Sequence, residues 1–577
     1  MTAPPRSRLS NHVEGRKIPG MQTFWRVASL ATTFCLLLPA ADWPTQSGGP
    51  QRDAWARGER TITKANAGSL ELLYKYKTDN QAKGLYALSA PIISGMLITY
   101  RGFKEMLVFG GSSDNVYSID ADLNRLLWKR HFDFQGETAR VESNAACPGG
   151  LTASMAMEGS SSASVRAFTP PPKRAASEKP APAEPREEGR VIESAKAKLE
   201  TGFGRLGGMF IVSSDGYLHT LNSSTGEDLL PPLKFVPPHS NVSSLNVLNN
   251  VVYAATTNEC GGKPNALYGV DLTSDTPEVW TFEIKGSEFA GIAATAIGKD
   301  GAIYLQAVSG KNSKFADYTV IALTPELQMK GYFTPPDAGP SQPGEAGITP
   351  TVFSWRDKEV VVAGGKDGRL YVLDAASLGG ADHKKPLIET GPMLQTAKNG
   401  ESTGLRGAFS TWNDAENETR WVYAPFAGSL SGSAAAGFPV RNGDVAKGGI
   451  AAFRLLDDKG QPQLKPVWTS GDLAAPAPPV TANGMVFALS TGEPLRERND
   501  KGKALSASSR EKIAGPAVLY ALDGATGKQL YSSGSMAGTF AHPGTLAVAN
   551  GRVYFTTHDN VIYCIGFSKL NPQLTDR

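Results

Sequence analysis

Five polar side chains in this 577-residue sequence have the types needed to bind a ligand or move a proton: His239, Glu288, Glu401, Arg406 and His542. A guanidinium offers a planar fork to a carboxylate or a quinone acid group. Carboxylates and imidazoles accept ligand hydrogens and can take protons. Other suggestive spellings lack the context their chemistry requires. Gly202, Gly204 and Gly207 spell G-x-G-x-x-G, but the nucleotide fingerprint needs a strand before it and a helix after it; here a low-complexity stretch precedes and a strand-like run follows. Gly400, Ser402 and Gly404 spell G-x-S-x-G without the helical pattern that a nucleophile elbow needs, and His383 sits in an outer turn. The run from Asp120 begins like a calcium loop, but Arg125 stands where that loop needs Gly and His131 where it needs Glu. The seven histidines show no ligand spacing, so no metal site is expected. No catalytic residue emerges from spacing alone.

The elements that must position these side chains are legible in a repeated phrase: apolar or aromatic residues, an Asp, a turn, then an aromatic. It reads NVYSIDADLNRLLW at 115–128, YLHTLNSSTGEDLL at 217–230, ALYGVDLTSDTPEVW at 266–280, RLYVLDAASLGG at 369–380 and VLYALDGATGKQLY at 518–531. A weaker copy lies at 319–333. Self-similarity of this kind sets the architecture. In the fifth unit, strands are expected at 347–353, 359–364, 369–374 and 386–389, with Asp367-Gly368 as a hairpin turn. Four antiparallel strands per unit make a propeller blade. The expected fold is all-β: an eight-bladed β-propeller of four-stranded antiparallel blades. Seven blades run from about residue 85 to 534. The eighth has strands at 545–549, 552–557 and 561–567, and its missing outer strand is expected at 69–78, which closes the ring. The propeller spans 42–568, followed by a tail at 569–577. Insertions at 136–204, 427–448 and 491–514 are expected to be mobile; the first holds the stretch PPPKRAASEKPAPAEPREEGR, too polar to order itself. In such a ring, pockets form at the axis, in the loops that enter inner strands and those that join second to third strands. The five polar residues above fall in such loops.

Composition limits the partners. The 58 basic and 55 acidic side chains nearly cancel, and no basic block argues for nucleic acid. Residues 1–20 resemble an upstream extension, and 21–41 resemble an export signal: a short basic start, then an apolar run that contains Pro39 and is too short to span a bilayer. Cleavage near Ala40 or Ala41 leaves no transmembrane span and a periplasmic or secreted protein. Of the three remaining cysteines, Cys147 and Cys260 lie in irregular segments and are expected to pair, whereas Cys564 lies in an apolar strand and is expected to be a buried thiol.

The phrase Ala521-Leu-Asp523-Gly-Ala-Thr-Gly527-Lys-Gln-Leu-Tyr531, the opening segment WPTQSGGPQRDAWA at 43–56 and the hairpins PVTANGMVF and VANGRVYF resemble the quinoprotein propellers. These are the pyrroloquinoline quinone (PQQ) alcohol and glucose dehydrogenases and their non-catalytic relatives. The resemblance covers roughly 43–568 and implies that Trp128, Trp280 and Tyr531 dock one blade on the next. It also implies a quinone at the axis, a calcium ion on it and an Asp base. The chain has no adjacent cysteines, no C-x-x-C-H haem site and no Glu/Asn/Asp metal set that matches position by position. The first reading is therefore an exported, monomeric, non-catalytic scaffold with no cofactor, which takes a protein partner or a small ligand on its face. The alternative is a PQQ- and calcium-dependent dehydrogenase of alcohols or sugars.

Overall fold

The computed structural model describes residues 42–568, apart from 100–101, 135–145, 159–207, 275, 311, 337–346, 366 and 399. The export segment, most of the 136–204 insertion with the Gly202–Gly207 spelling, and the tail at 569–577 lie outside the described residues.

Eight antiparallel sheets follow one another along the chain as the blades of a propeller. The first runs through Ile92–Thr99, Gly102–Gly111, Asn115–Asp120 and Arg125–His131. The fifth runs through Thr351–Trp355, Lys358–Gly364, Leu370–Asp374 and Ile388–Glu389. Its inner strand begins later than the sequence suggests, because Ile348–Thr349 instead pairs in parallel with Gly407–Ala408 of the sixth blade. Middle strands face a neighbouring blade on both sides, so both their faces are apolar and covered: Val360, Val361 and Val362 are all fully buried. Outer strands such as Arg125–His131 carry their charges to solvent.

The eighth blade takes three strands from the C-terminal end, at Ala547–Ala549, Arg552–Thr557 and Val561–Gly566. Its fourth is Glu71–Lys77, antiparallel to Val561–Gly566 with Tyr76 opposite Ile562. The ring is thus closed by its two ends, and no blade edge is left open at the seam.

The repeated phrase has a local physical cause. Asp120 Oδ1 accepts from the backbone N–H groups of Asp122 and Leu123, both at 3.1 Å. Asp523 Oδ1 accepts from those of Ala525 and Thr526, at 3.0 and 2.9 Å. Each carboxylate therefore holds its own turn. The aromatic that ends a phrase docks on the turn of the next blade: Trp128 Nε1 donates to Ser223 O and Trp468 Nε1 to Gly524 O, both at 2.8 Å. Gly226 and Gly527 lie beneath these indoles at φ +75° and +72°. Trp280 packs into the core shared by the third and fourth blades, and Tyr531 into that of the seventh and eighth.

Two insertions differ from the expected loops. Residues 427–448 contain a helix, Gly432–Gly437, capped by Ser431, and a short strand, Val440–Arg441, that adds in parallel to the sixth blade. Residues 491–514 contain a helix, Ala507–Glu511, capped by Ser506. In both, the serine hydroxyl accepts from a first-turn backbone N–H and so starts a short helix inside the insertion. Among the described residues no helix is long and apolar enough to cross a membrane.

Candidate functional site

The shaft of the propeller is occupied by the start of the described chain. Residues 43–59 visit the blades in order. Trp43 pairs with Ile93 of the first blade, and Pro44 O accepts from Met157 N in the second. Pro50 O accepts from Asn246 Nδ2 in the third and Ile297 N in the fourth. Gln51 O accepts from Val352 N in the fifth, Asp53 O from Thr411 N in the sixth, and Ala54 O from Thr481 N in the seventh. Glu59 Oε2 accepts from Gly551 N in the eighth, at 2.7 Å. Arg52 is fully buried in this run. Its Nε donates to Thr295 O at 3.0 Å, and Nη2 donates to Leu245 O at 2.8 Å. Nη1 donates to Thr45 Oγ1 at 2.9 Å. Burial pulls its guanidinium down to about 9. It needs this ring of acceptors to remain charged.

Beside this segment, at one mouth of the shaft, lies a cavity of about 590 Å³. Its wall comes from loops entering the inner strands of the first four blades and the eighth, and from second-to-third-strand loops of the third and fourth. Gln46 reaches it from the axial segment and donates from Nε2 to Gly544 O at 3.1 Å. The polar wall is mostly hydroxyl and amide: Ser89, Thr152, Ser154, Asn241, Ser243 and Asn258 are examples. Among the described residues that line it, Glu259 and Glu288 are the carboxylates, and there is no Lys or Arg.

Glu288 Oε2 accepts from Asn258 N at 3.0 Å, and burial pushes its carboxyl above the usual range. On the eighth-blade side His542 Nδ1 lies 3.2 Å from Glu493 Oε1, and the Tyr86 ring packs against the imidazole in a tilted arrangement with centroids 4.6 Å apart. Behind Glu493, Arg510 donates to Glu497 at 3.1 Å, and Arg406 lies 3.5 Å from the same carboxylate. The rim is held by the Cys147–Cys260 disulfide. Next to it, Ala146 O accepts from Asn258 Nδ2 at 3.0 Å and from Asn241 Nδ2 at 3.4 Å.

Of the five residues singled out by sequence, the structure therefore brings Glu288 and His542 to one cavity. Arg406 stands outside the wall, engaged with Glu497. Glu401 pairs through its backbone with Arg496 in an isolated antiparallel β-bridge, and His239 stacks on Phe134 at 4.6 Å; neither lines the cavity. Sequence reasoning passed over Gln46, Tyr86, Asn241, Asn258 and Glu493. Glu493 was hidden in a charged insertion, and the amides lie in loops whose spacing carries no period. Among the described residues no group of three or more His, Cys, Asp or Glu is placed to hold a metal.

No family model and no curated protein matches this chain. Solved structures do. A europium-containing methanol dehydrogenase aligns over 91% of this chain and 98% of its own, with a TM-score of 0.54 and 11% identity. The quinohemoprotein alcohol dehydrogenase from Comamonas testosteroni aligns over 91% of this chain and 80% of its own, with a TM-score of 0.50 and 12% identity. At this identity the likeness is one of fold: an eight-bladed propeller.

Proposed function

We propose that this propeller binds a small, uncharged, hydroxyl-bearing molecule in the axial cavity, as an exported binding protein without redox catalysis of its own. The observation that carries the reading is the chemistry of the wall as its described residues form it: hydroxyls and amides, two carboxylates, and among these residues no lysine or arginine. An anionic ligand would meet like charge without compensation, whereas a polyol finds donors and acceptors throughout. Export is supported by the 21–41 segment and by a disulfide of the kind that persists in oxidising compartments. The test is isothermal titration of the chain from Asp42 with neutral polyols and aldoses, and separately with citrate. Saturable heat from a neutral compound, lost in Asn258→Ala, supports the reading. Binding of citrate alone overturns it.

A second reading, a PQQ- and calcium-dependent dehydrogenase of alcohols or sugars, is favoured by the fold shared with two alcohol dehydrogenases and by the phrase around Asp523. The residues present do not fit that group. The quinone is polyanionic, yet among the described residues no guanidinium or ammonium lines the cavity, and Arg406 is engaged with Glu497. Calcium needs several hard oxygen ligands, and the described residues hold no such cluster of acidic side chains. Dye reduction by purified protein with added PQQ and calcium decides between the readings. Saturable turnover of an alcohol or aldose would establish the dehydrogenase and displace the first proposal.

A further inference from the structure

Glu493 stands behind His542 at the edge of the axial cavity. Its side chain is 3% exposed, whereas that of His542 is 28% exposed. Burial alone would raise the Glu493 carboxyl, but the hydrogen bond from His542 and the charges of Arg510 and Arg406 outweigh it and hold it below the usual range. An ionised carboxylate only accepts, so the proton between the two lies on His542 Nδ1. With that proton on Nδ1, Nε2 is the ring nitrogen left to face a ligand. Among the described residues no protein group bonds to it, and the ring forms part of the cavity wall. Tyr86 packs against the ring, tilted at 47° with centroids 4.6 Å apart.

His219 shows what a satisfied histidine looks like in the same fold. Its Nδ1 lies 3.0 Å from Asp228 Oδ1, and its Nε2 lies 3.2 Å from Ser213 Oγ. Both nitrogens are taken, and the side chain is 10% exposed. His542 shares the carboxylate partner but leaves the second nitrogen open.

We infer that His542 is the proton-accepting group of the axial cavity, held in the Nδ1–H form by Glu493 and offering Nε2 to a ligand hydroxyl. This rests on the cavity being the ligand site. It goes further by assigning the side chain and atom that would receive the ligand's hydrogen. The charged and titratable groups around it are Glu493 and Arg510 from the 491–514 insertion, Tyr86 from the loop before the first blade, and Glu288 on the cavity wall.

The experiment is carbethoxylation by diethyl pyrocarbonate at neutral pH on the folded chain, with each histidine followed by peptide mass spectrometry. An Nε2 open to the cavity should make His542 react on the order of tenfold faster than His219, whose Nε2 is engaged with Ser213. Glu493→Gln should slow His542 by roughly threefold or more while leaving His131 unchanged. Equal rates for His542 and His219, or a His542 rate unmoved by Glu493→Gln, would overturn the inference. If Glu493→Gln does not fold, ¹⁵N spectra of the unmutated protein decide: a protonated Nδ1 supports it, and a protonated Nε2 sinks it. Protection of His542 by a bound polyol supports both levels of the reading. A polyol that binds without slowing the labelling refutes the role of His542 and leaves the cavity reading standing. Absence of any polyol binding removes the cavity reading and the ligand half of this inference with it.

Discussion

Arg552 of the eighth blade donates from Nη1 to Glu105 Oε2 of the first blade at 2.7 Å, across the seam where the ring closes. Its Nη2 reaches Asp122 Oδ1, also at 2.7 Å. Tyr554 donates its hydroxyl to the other oxygen of Glu105 at 3.2 Å. Tyr74, on the strand borrowed from the other end of the chain, donates to Ala121 O at 3.1 Å. The closure is therefore fastened by side chains as well as by strand pairing.

Removing one partner should cost more than removing both. Arg552→Met leaves Glu105 buried without its cation, and a loss of about 3 kcal/mol is expected. The double variant Glu105→Leu/Arg552→Met should recover part of it. Urea denaturation curves for the three proteins check the order.

The seam also sets a pH dependence. Burial pushes the Glu105 carboxyl up to about 7 against the pull of Arg552. A group raised in the folded state stabilises most below its unfolded value of about 4.5, and that contribution is lost as pH rises through 7. Melting temperature should therefore decline between pH 5 and pH 8 by an amount absent from Glu105→Gln, as read from parallel thermal scans.

Arg52→Met should destabilise the whole ring, not one blade, by about 3 kcal/mol or more, because three backbone carbonyls and Thr45 Oγ1 each lose one donor at a fully buried site. Arg52→Lys should recover little, since an ammonium cannot reproduce the fork. A single cooperative melt shifted downward is the expected trace; an unchanged midpoint would refute the role.

Gly527→Ala should cost about 2 kcal/mol or more. A Cβ there would sit 2.4 Å from the Trp468 ring, on a backbone at φ +72°. Quenching and melting of the Trp468 neighbourhood, followed by fluorescence, report it.

Cys564 is fully buried, and burial pushes its thiol up to about 12. In the chain from Asp42, iodoacetamide at pH 8 should label no thiol until the protein unfolds. It should then label one, and three after reduction of the disulfide. Labelling of the native protein would contradict the packing.

Much of this architecture can be read from residue order, and the reason is periodicity. The Asp that holds a turn, the aromatic that docks on the next blade and unbroken apolar middle strands such as Val360–Val362 recur because each blade solves the same packing problem. The strand at Glu71–Lys77 and the Cys147–Cys260 pair were legible for similar local reasons. The axial segment was not. Residues 43–59 touch the blades through scattered bonds and form no continuous ladder with any of them, so they carry neither a strand period nor a helical one. The cavity was half legible: loop position pointed to Glu288 and His542, but the pairing of His542 with Glu493 joins loops 49 residues apart and leaves no spacing signal. Arg406 was drawn away by Glu497 for the same reason.

The occupied shaft has a directional consequence. With Trp43, Arg52, Asp53 and Ala54 all inaccessible to water along the axis, the propeller is a cup and not a tube. Whatever settles in it must arrive and depart by the same lip, past the sulfur bridge and the histidine.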